Sequence, residues 1–368
     1  MRLYKMELYK ILHKKLVLAL GILMLLWMAL YFYMLISEEH TTIDGIDYYG
    51  YEAIQTDREI TEEYKGIFTD EKAKQIIARY GFPSKVVWEY GYWQDSNYLN
   101  GFVTDYLSDG YIRGWEEGEY KVAEHIIPMA ESRLDIYVDS PLPFAYTKGW
   151  EKLLDYLQMG AQILSAWFII AFSTLFSEER QNNTRSLIFT TENGLHTDIH
   201  AKIGAAFTIC LAAGFIFLGI SFLLFWSVFG LDGSDVPAAI AAHGYGFDSL
   251  MRGRIDLYVM KYVIIILAGL MMHTAICIWI SSEMKNNFQA ILSNIAIWLL
   301  PCAVYLCMHG MLFRLISGCL PFMLVMYYNM EEFCRVYRLY HVQLWIIFVT
   351  VLFCAMDSGW NWRKVDRE

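Results

Sequence analysis

The residues best equipped for chemistry lie in a polar island, FSEERQNNTRSLIFTTENGLHTDIHAK, which runs from Phe176 to Lys202 between two long apolar stretches. Its ionisable groups, Glu178, Glu179, Arg180, Arg185, Glu192, Asp198 and Lys202, nearly cancel in charge. A segment that met only lipid headgroups would be more basic. Charges, amides and hydroxyls around the apolar patch Ser186–Phe189 point instead to a surface that docks on another protein. His196 and His200 stand one helical turn apart, but no third ligand accompanies them, so they are expected to be solvated rather than metallated.

Other chemistry is missing from the sequence. No GxxxxGK[ST] loop occurs, nor any Gly-Lys pair, so backbone amides and a lysine are not arranged to cradle the phosphates of ATP. HExxH, GxSxG and zinc-like Cys/His spacings are absent too. We expect no catalytic residues, no metal and no cofactor held by this chain. Inside the apolar runs the ionisable candidates are few: Lys261 is near enough to an end to snorkel outward, and His273 is more deeply placed. His273 and Pro301 are the candidates for a substrate path, because a polar group and a helix-loosening residue within a bilayer both need a reason. Glu283 and Lys285 read as turn residues.

These residues must be positioned by membrane helices. The chain has 368 residues, 56% of them hydrophobic and 18% charged, and its apolar residues gather into blocks of bilayer-spanning length. Six spans are expected, at Leu16–Ile36, Asp155–Phe176, Ile203–Gly230, Leu257–Ser281, Phe288–Met308 and Leu339–Met356. Lys and Arg number 12 in the proposed cytoplasmic segments and 5 in the short outer loops, which places both termini, including the 357–368 tail, in the cytoplasm. The run 311–328 is interrupted by Gly318 and Pro321 and is too short to span comfortably, so a re-entrant hairpin is expected before the last span.

Two further pieces complete the layout. Residues 1–15 put Tyr4, Leu8 and Ile11 on one face beside several lysines, the pattern of a cytoplasmic interfacial helix. Residues 37–152 hold 23 acidic side chains against 11 basic ones and are expected to form an extracellular mixed α/β domain. Such an acidic surface argues against nucleic acid. All seven cysteines lie outside this segment, so a packed core rather than disulfides must stabilise it. Within it, Thr69 to Gly81 reads as a capped helix and Lys121–Leu134 as a second one. The aromatic and β-branched stretches VVWEYGYW and NYLNGFVTDYL read as strands.

The order of these parts resembles the permease subunits of ABC-2 type exporters, through Phe-x-x-Glu-x(4)-Thr at Phe176, Glu179 and Thr184, and Gly-x(6)-Ala-Lys at Gly194, Ala201 and Lys202. Gly149-Trp150 before the second span and Leu320-Pro321 in the hairpin look like members from Gram-positive bacteria. The chain departs from the pattern at Asn183, where glycine is common, and at Leu195, where a basic residue is. The resemblance implies a cell-membrane permease that pairs with a second permease subunit, as homo- or heterodimer, and with a cytosolic ABC ATPase carrying ATP and Mg. Segment 177–202 would then be the coupling loop, with Glu178, Glu179, Thr184, Arg185, Gly194 and Lys202 at the ATPase contact. The cargo implied is amphipathic or hydrophobic, an antimicrobial peptide being one class that an acidic exterior would suit. The alternative is a membrane sensor or scaffold with a ligand-binding extracellular domain.

Overall fold

A computed structural model describes residues 2–87, 92–110, 123–191, 196–242, 253–308, 310–332 and 340–363. In chain order α1 (Arg2–Leu12) and α2 (Lys15–Ser37) precede the ribbon β1 (His40–Ile43) and β2 (Ile46–Tyr49), then α3 (Tyr51–Tyr64), β3 (Gly66–Ile67) and α4 (Asp70–Tyr80). The hairpin β4 (Ser84–Val87) and β5 (Tyr92–Gln94) leads to α5 (Tyr98–Leu107), β6 (Pro143–Phe144) and α6 (Lys148–Phe172). After α7 (Ser177–Gln181) and α8 (Arg185–Phe189) come α9 (Thr197–Val228), α10 (Ala238–Ala241), α11 (Ile255–Glu283) and α12 (Asn287–Cys307). The short helices α13 (Met311–Gly318), α14 (Pro321–Leu324) and α15 (Tyr327–Glu332) precede α16 (Tyr340–Arg363).

The protein is a polytopic helical membrane protein. Six helices are long and apolar enough to cross a bilayer: α2, α6 continued to Gln181, α9, α11, α12 and α16. The 23 residues of α2 reach about 35 Å at 1.5 Å per residue, enough for the hydrocarbon core. The helices overrun the apolar windows read from sequence: α6 starts at Lys148, α9 at Thr197, and α16 continues to Arg363. Hydropathy marks only the stretch that needs lipid, whereas a helix continues wherever its polar end turns are paired or wet.

Two compact units divide the chain, one made of Met1–Ala29, Asp155–Ser221 and Val259–Glu368, the other of Leu30–Leu154 and Phe222–Tyr258. In the second unit β1 and β2 turn at Asp44 and Gly45, both at positive φ (52° and 77°), the geometry of the two-residue hairpin that favours Asp-Gly. Helix α4 begins with the Thr69 hydroxyl accepting from the Lys72 amide and ends at Gly81. Rings of Phe68, Phe102 and Phe144 pack with centroids about 5 Å apart at the core, while β3 pairs with β6.

Two sequence expectations fail in this unit. The stretch from Tyr98 to Leu107 is a helix and not a strand: Leu99, Phe102, Val103, Tyr106 and Leu107 recur at helical spacing and are buried, and Asn97 and Asn100 form a reciprocal cap. Aromatic content outweighed periodicity in the strand reading. The expected helix at Lys121–Leu134 is also not formed in its described part, where Met129–Glu131 makes a single 3-10 turn after Pro128. Lys121 and Val122 lie outside the described residues. Of the strand stretch VVWEYGYW, positions 88–91 lie outside them as well.

In the first unit, residues 311–332 form the three short helices α13, α14 and α15. The Asn329 amide donates to the Gly318 and Met323 carbonyls (2.8 and 3.2 Å), and the Tyr262 hydroxyl to the Val325 carbonyl at 2.5 Å. Side chains thereby satisfy backbone carbonyls at the ends of α13 and α14.

Candidate functional site

The polar island is mounted on a buried charge cluster. Lys202, in the first turns of α9, is fully buried, and its ammonium meets Asp198 one turn earlier and Glu179 of α7 at 3.0 Å. An ammonium removed from water needs such partners. Glu179 in turn accepts from Lys10 of α1 at 3.0 Å, and Lys14 reaches Glu178 at 2.5 Å. Glu7, also buried, lies 4.0 Å from Lys10. Burial pushes the Glu7 carboxyl above its usual range. Burial pulls the Lys10 ammonium down, but the carboxylates of Glu179 and Glu7 outweigh it and hold the group above its ordinary value.

Aromatic and backbone contacts complete the mount. The Arg185 guanidinium donates to the Trp362 carbonyl at 2.7 Å and stacks over the Trp362 and Phe189 rings at 5.0 and 5.2 Å. Arg180 donates to the Met284 carbonyl at 3.1 Å, and the Ser281 hydroxyl accepts from the Phe176 and Ser177 amides. The Thr184 amide and hydroxyl both donate to the Glu179 carbonyl (3.0 and 3.2 Å), closing the turn between α7 and α8. That turn passes through Asn183 at φ 55°. Asparagine and glycine are the residues that tolerate this left-handed conformation best, which accounts for an asparagine at this turn.

The sequence-derived site residues therefore separate by environment. Glu179, Arg185 and Lys202 are buried and paired within the chain, Glu178 is half-buried, and Thr184 is exposed. Gly194 lies outside the described residues. Among the described residues, the exposed positions of the island include Asn182, Asn183, Thr184, Ser186 and Leu187, with Leu187 at 69% exposure. His196 and His200 are exposed.

On α1 the face read from sequence turns to protein: Ile11 is buried, Tyr4 and Leu8 are half-buried, and the Tyr4 hydroxyl donates to Thr208 at 2.7 Å. Met6 and Tyr9 occupy the exposed side. Lys10 of α1 and Lys14, just after it, which by sequence only set orientation, hold this end of the chain to the island. Their i, i+4 spacing facing Glu179 and Glu178 was the available signal, but nothing local identifies acids 160 or more residues away.

His273 and Pro301 also find structural surroundings. The His273 Nε2 lies 2.9 Å from the Ser165 carbonyl of α6, and the Trp298 indole donates to the Ser165 hydroxyl at 2.9 Å one turn before Pro301. Trp298 also lines an apolar groove of about 680 Å³ with Leu23, Trp27, Ile163, Trp167 and Ile295. In the second unit, Gly149 is backed so closely by the Gly230 carbonyl that a Cβ there would sit 2.3 Å from it, and the Trp150 indole donates to the Asp232 carbonyl at 2.8 Å.

No family model, curated protein or solved structure matches this chain.

Proposed function

We propose that this protein is the transmembrane permease subunit of an ABC-2 type exporter, moving an amphipathic or hydrophobic substrate outward with work supplied by a separate ATPase. The observation that carries the reading is the Lys10–Glu179–Lys202 chain of ion pairs, which ties an exposed polar tip to both α1 and α9. A chain with no phosphate loop can draw on ATP only through a contact with an ATPase, and a tip joined by ion pairs to two helices is placed to transmit force to the bilayer region. The ATPase contact falls on Asn182, Thr184 and Leu187, while Glu179, Arg185 and Lys202 hold that surface in place. The apolar groove beside Trp298 supplies a surface for a hydrophobic cargo. The island faces the cytoplasm and the acidic domain the exterior.

Affinity purification of the tagged full-length chain from its own cells tests the reading. A nucleotide-binding subunit should accompany the wild type, and Leu187→Glu with Asn182→Arg should release it while the melting temperature stays within a degree or two. If no nucleotide-binding subunit accompanies the wild type, the sensor reading replaces the permease; if the double variant retains its partner fully, the contact surface is misplaced.

A further inference from the structure

We propose that the corner of the second unit around Gly50 rests in the phospholipid headgroup layer, with Tyr33, Tyr49 and Tyr51 as its interfacial anchors. Helix α2 rises about 35 Å over its 23 residues, and still about 33 Å at the usual tilt of about 20°. A hydrocarbon core of about 30 Å therefore leaves its last turn, residues 33–36, at the far boundary. Gly50 is fixed to that level: a Cβ there would sit 3.8 Å from the Ile36 carbonyl oxygen, and its amide donates to the Glu39 carbonyl at 2.8 Å. The next span begins at the same corner, because Lys152, near the head of α6, meets Glu39 at 3.2 Å. Tyr49, which ends β2, and Tyr51, which opens α3, flank Gly50 and so share its depth.

The side chains displayed at this depth suit a headgroup layer better than bulk water. Tyr33, Tyr49 and Tyr51 are 66%, 63% and 53% exposed. Tyr49 is braced by the ring of His40, its partner across the ribbon, with centroids 4.7 Å apart. Among the described residues none shares a hydrogen bond with any of the three phenol hydroxyls. Tyrosine carries an apolar ring and a polar tip, so at the boundary the ring meets the upper acyl chains while the hydroxyl donates to a phosphate or ester oxygen. Depth also chooses the occupant: a corner joined to the ends of two spans is covered by headgroups before any soluble protein reaches it.

The inference needs only that α2 crosses a bilayer, so it stands or falls apart from the exporter reading. Full-length protein in a cysteine-depleted background, labelled with the fluorophore NBD at Glu52→Cys and held in phosphatidylcholine nanodiscs, tests it. Glu52 is exposed in the first turn of α3, and its replacement leaves all three tyrosines in place. A nitroxide on the lipid headgroup should quench the label roughly threefold more than a nitroxide at mid-chain. Tyr49→Ser with Tyr51→Ser should remove about half of that quenching or more, whereas Tyr49→Trp with Tyr51→Trp should retain it, because tryptophan is also an interfacial residue. The serine pair should melt close to wild type, since neither hydroxyl has a partner to lose. The proposal is overturned if headgroup nitroxide quenches no more than mid-chain nitroxide, or if the serine pair quenches as wild type does.

Discussion

Asp57 is 2% exposed, and its carboxylate accepts from the Tyr98 amide at 3.1 Å. Burial lifts its pKa from 3.8 to about 6, more than the Lys148 ammonium and the Tyr98 amide lower it, with Glu39 adding to the rise. Folding therefore favours the protonated form. The stabilisation is complete below about pH 4 and is lost as pH rises through 6, amounting to on the order of 3 kcal/mol over that window. Asp57→Asn keeps an acceptor for Tyr98 without titrating. The melting temperature of wild type should thus fall relative to Asp57→Asn between pH 4.5 and 7; a constant difference across that range would show that Asp57 is not desolvated. Sequence gave no warning of this group: Asp57 is one of many acids in 37–152, and only packing reveals which of them lost its water.

At the scale of elements, α1 is joined to α7 by the Lys10–Glu179 ion pair, and Glu179 passes the link on to Lys202 of α9. Glu179 is the shared partner, so Glu179→Gln leaves the buried Lys202 ammonium with Asp198 alone and should cost about 3 kcal/mol. Lys10, with a third of its side chain exposed, should cost about 1 kcal/mol or less as Lys10→Met. The double variant should melt no lower than Glu179→Gln, because the first change already removes the pair. Strictly additive losses would mean that Lys10 and Glu179 do not meet. Elements were legible where a local rule was decisive. Thr69 and Gly81 bound α4 as capping chemistry requires, whereas in α5 aromatic composition favours a strand and the recurrence of Leu99, Phe102 and Tyr106 a helix, and the recurrence prevails because it sets the buried face. The Asn97–Asn100 cap is a second local mark of the helix start.

For the whole molecule, the proposed topology has the polar island on the cytoplasmic side and residues 37–152 outside, the orientation that the distribution of Lys and Arg favours. In a cysteine-depleted background an impermeant thiol reagent added to intact cells should label Ser140→Cys, and Asn182→Cys only after lysis; both positions are exposed in the fold. Labelling of both from outside would reverse the proposed coupling. The six spans were readable from the chain because hydrocarbon thickness imposes a length and a composition on any helix that crosses it, independent of its neighbours. The near-neutral island between the second and third spans was readable for the same reason, as polar residues where lipid excludes them. Which charges in that island are buried was settled only by tertiary structure, since Lys202 owes its place to Glu179 and Glu179 to Lys10, 169 residues away in the chain. An ion or a phenol loses its water to whatever packs against it, and that neighbour is chosen by the fold rather than by local spacing.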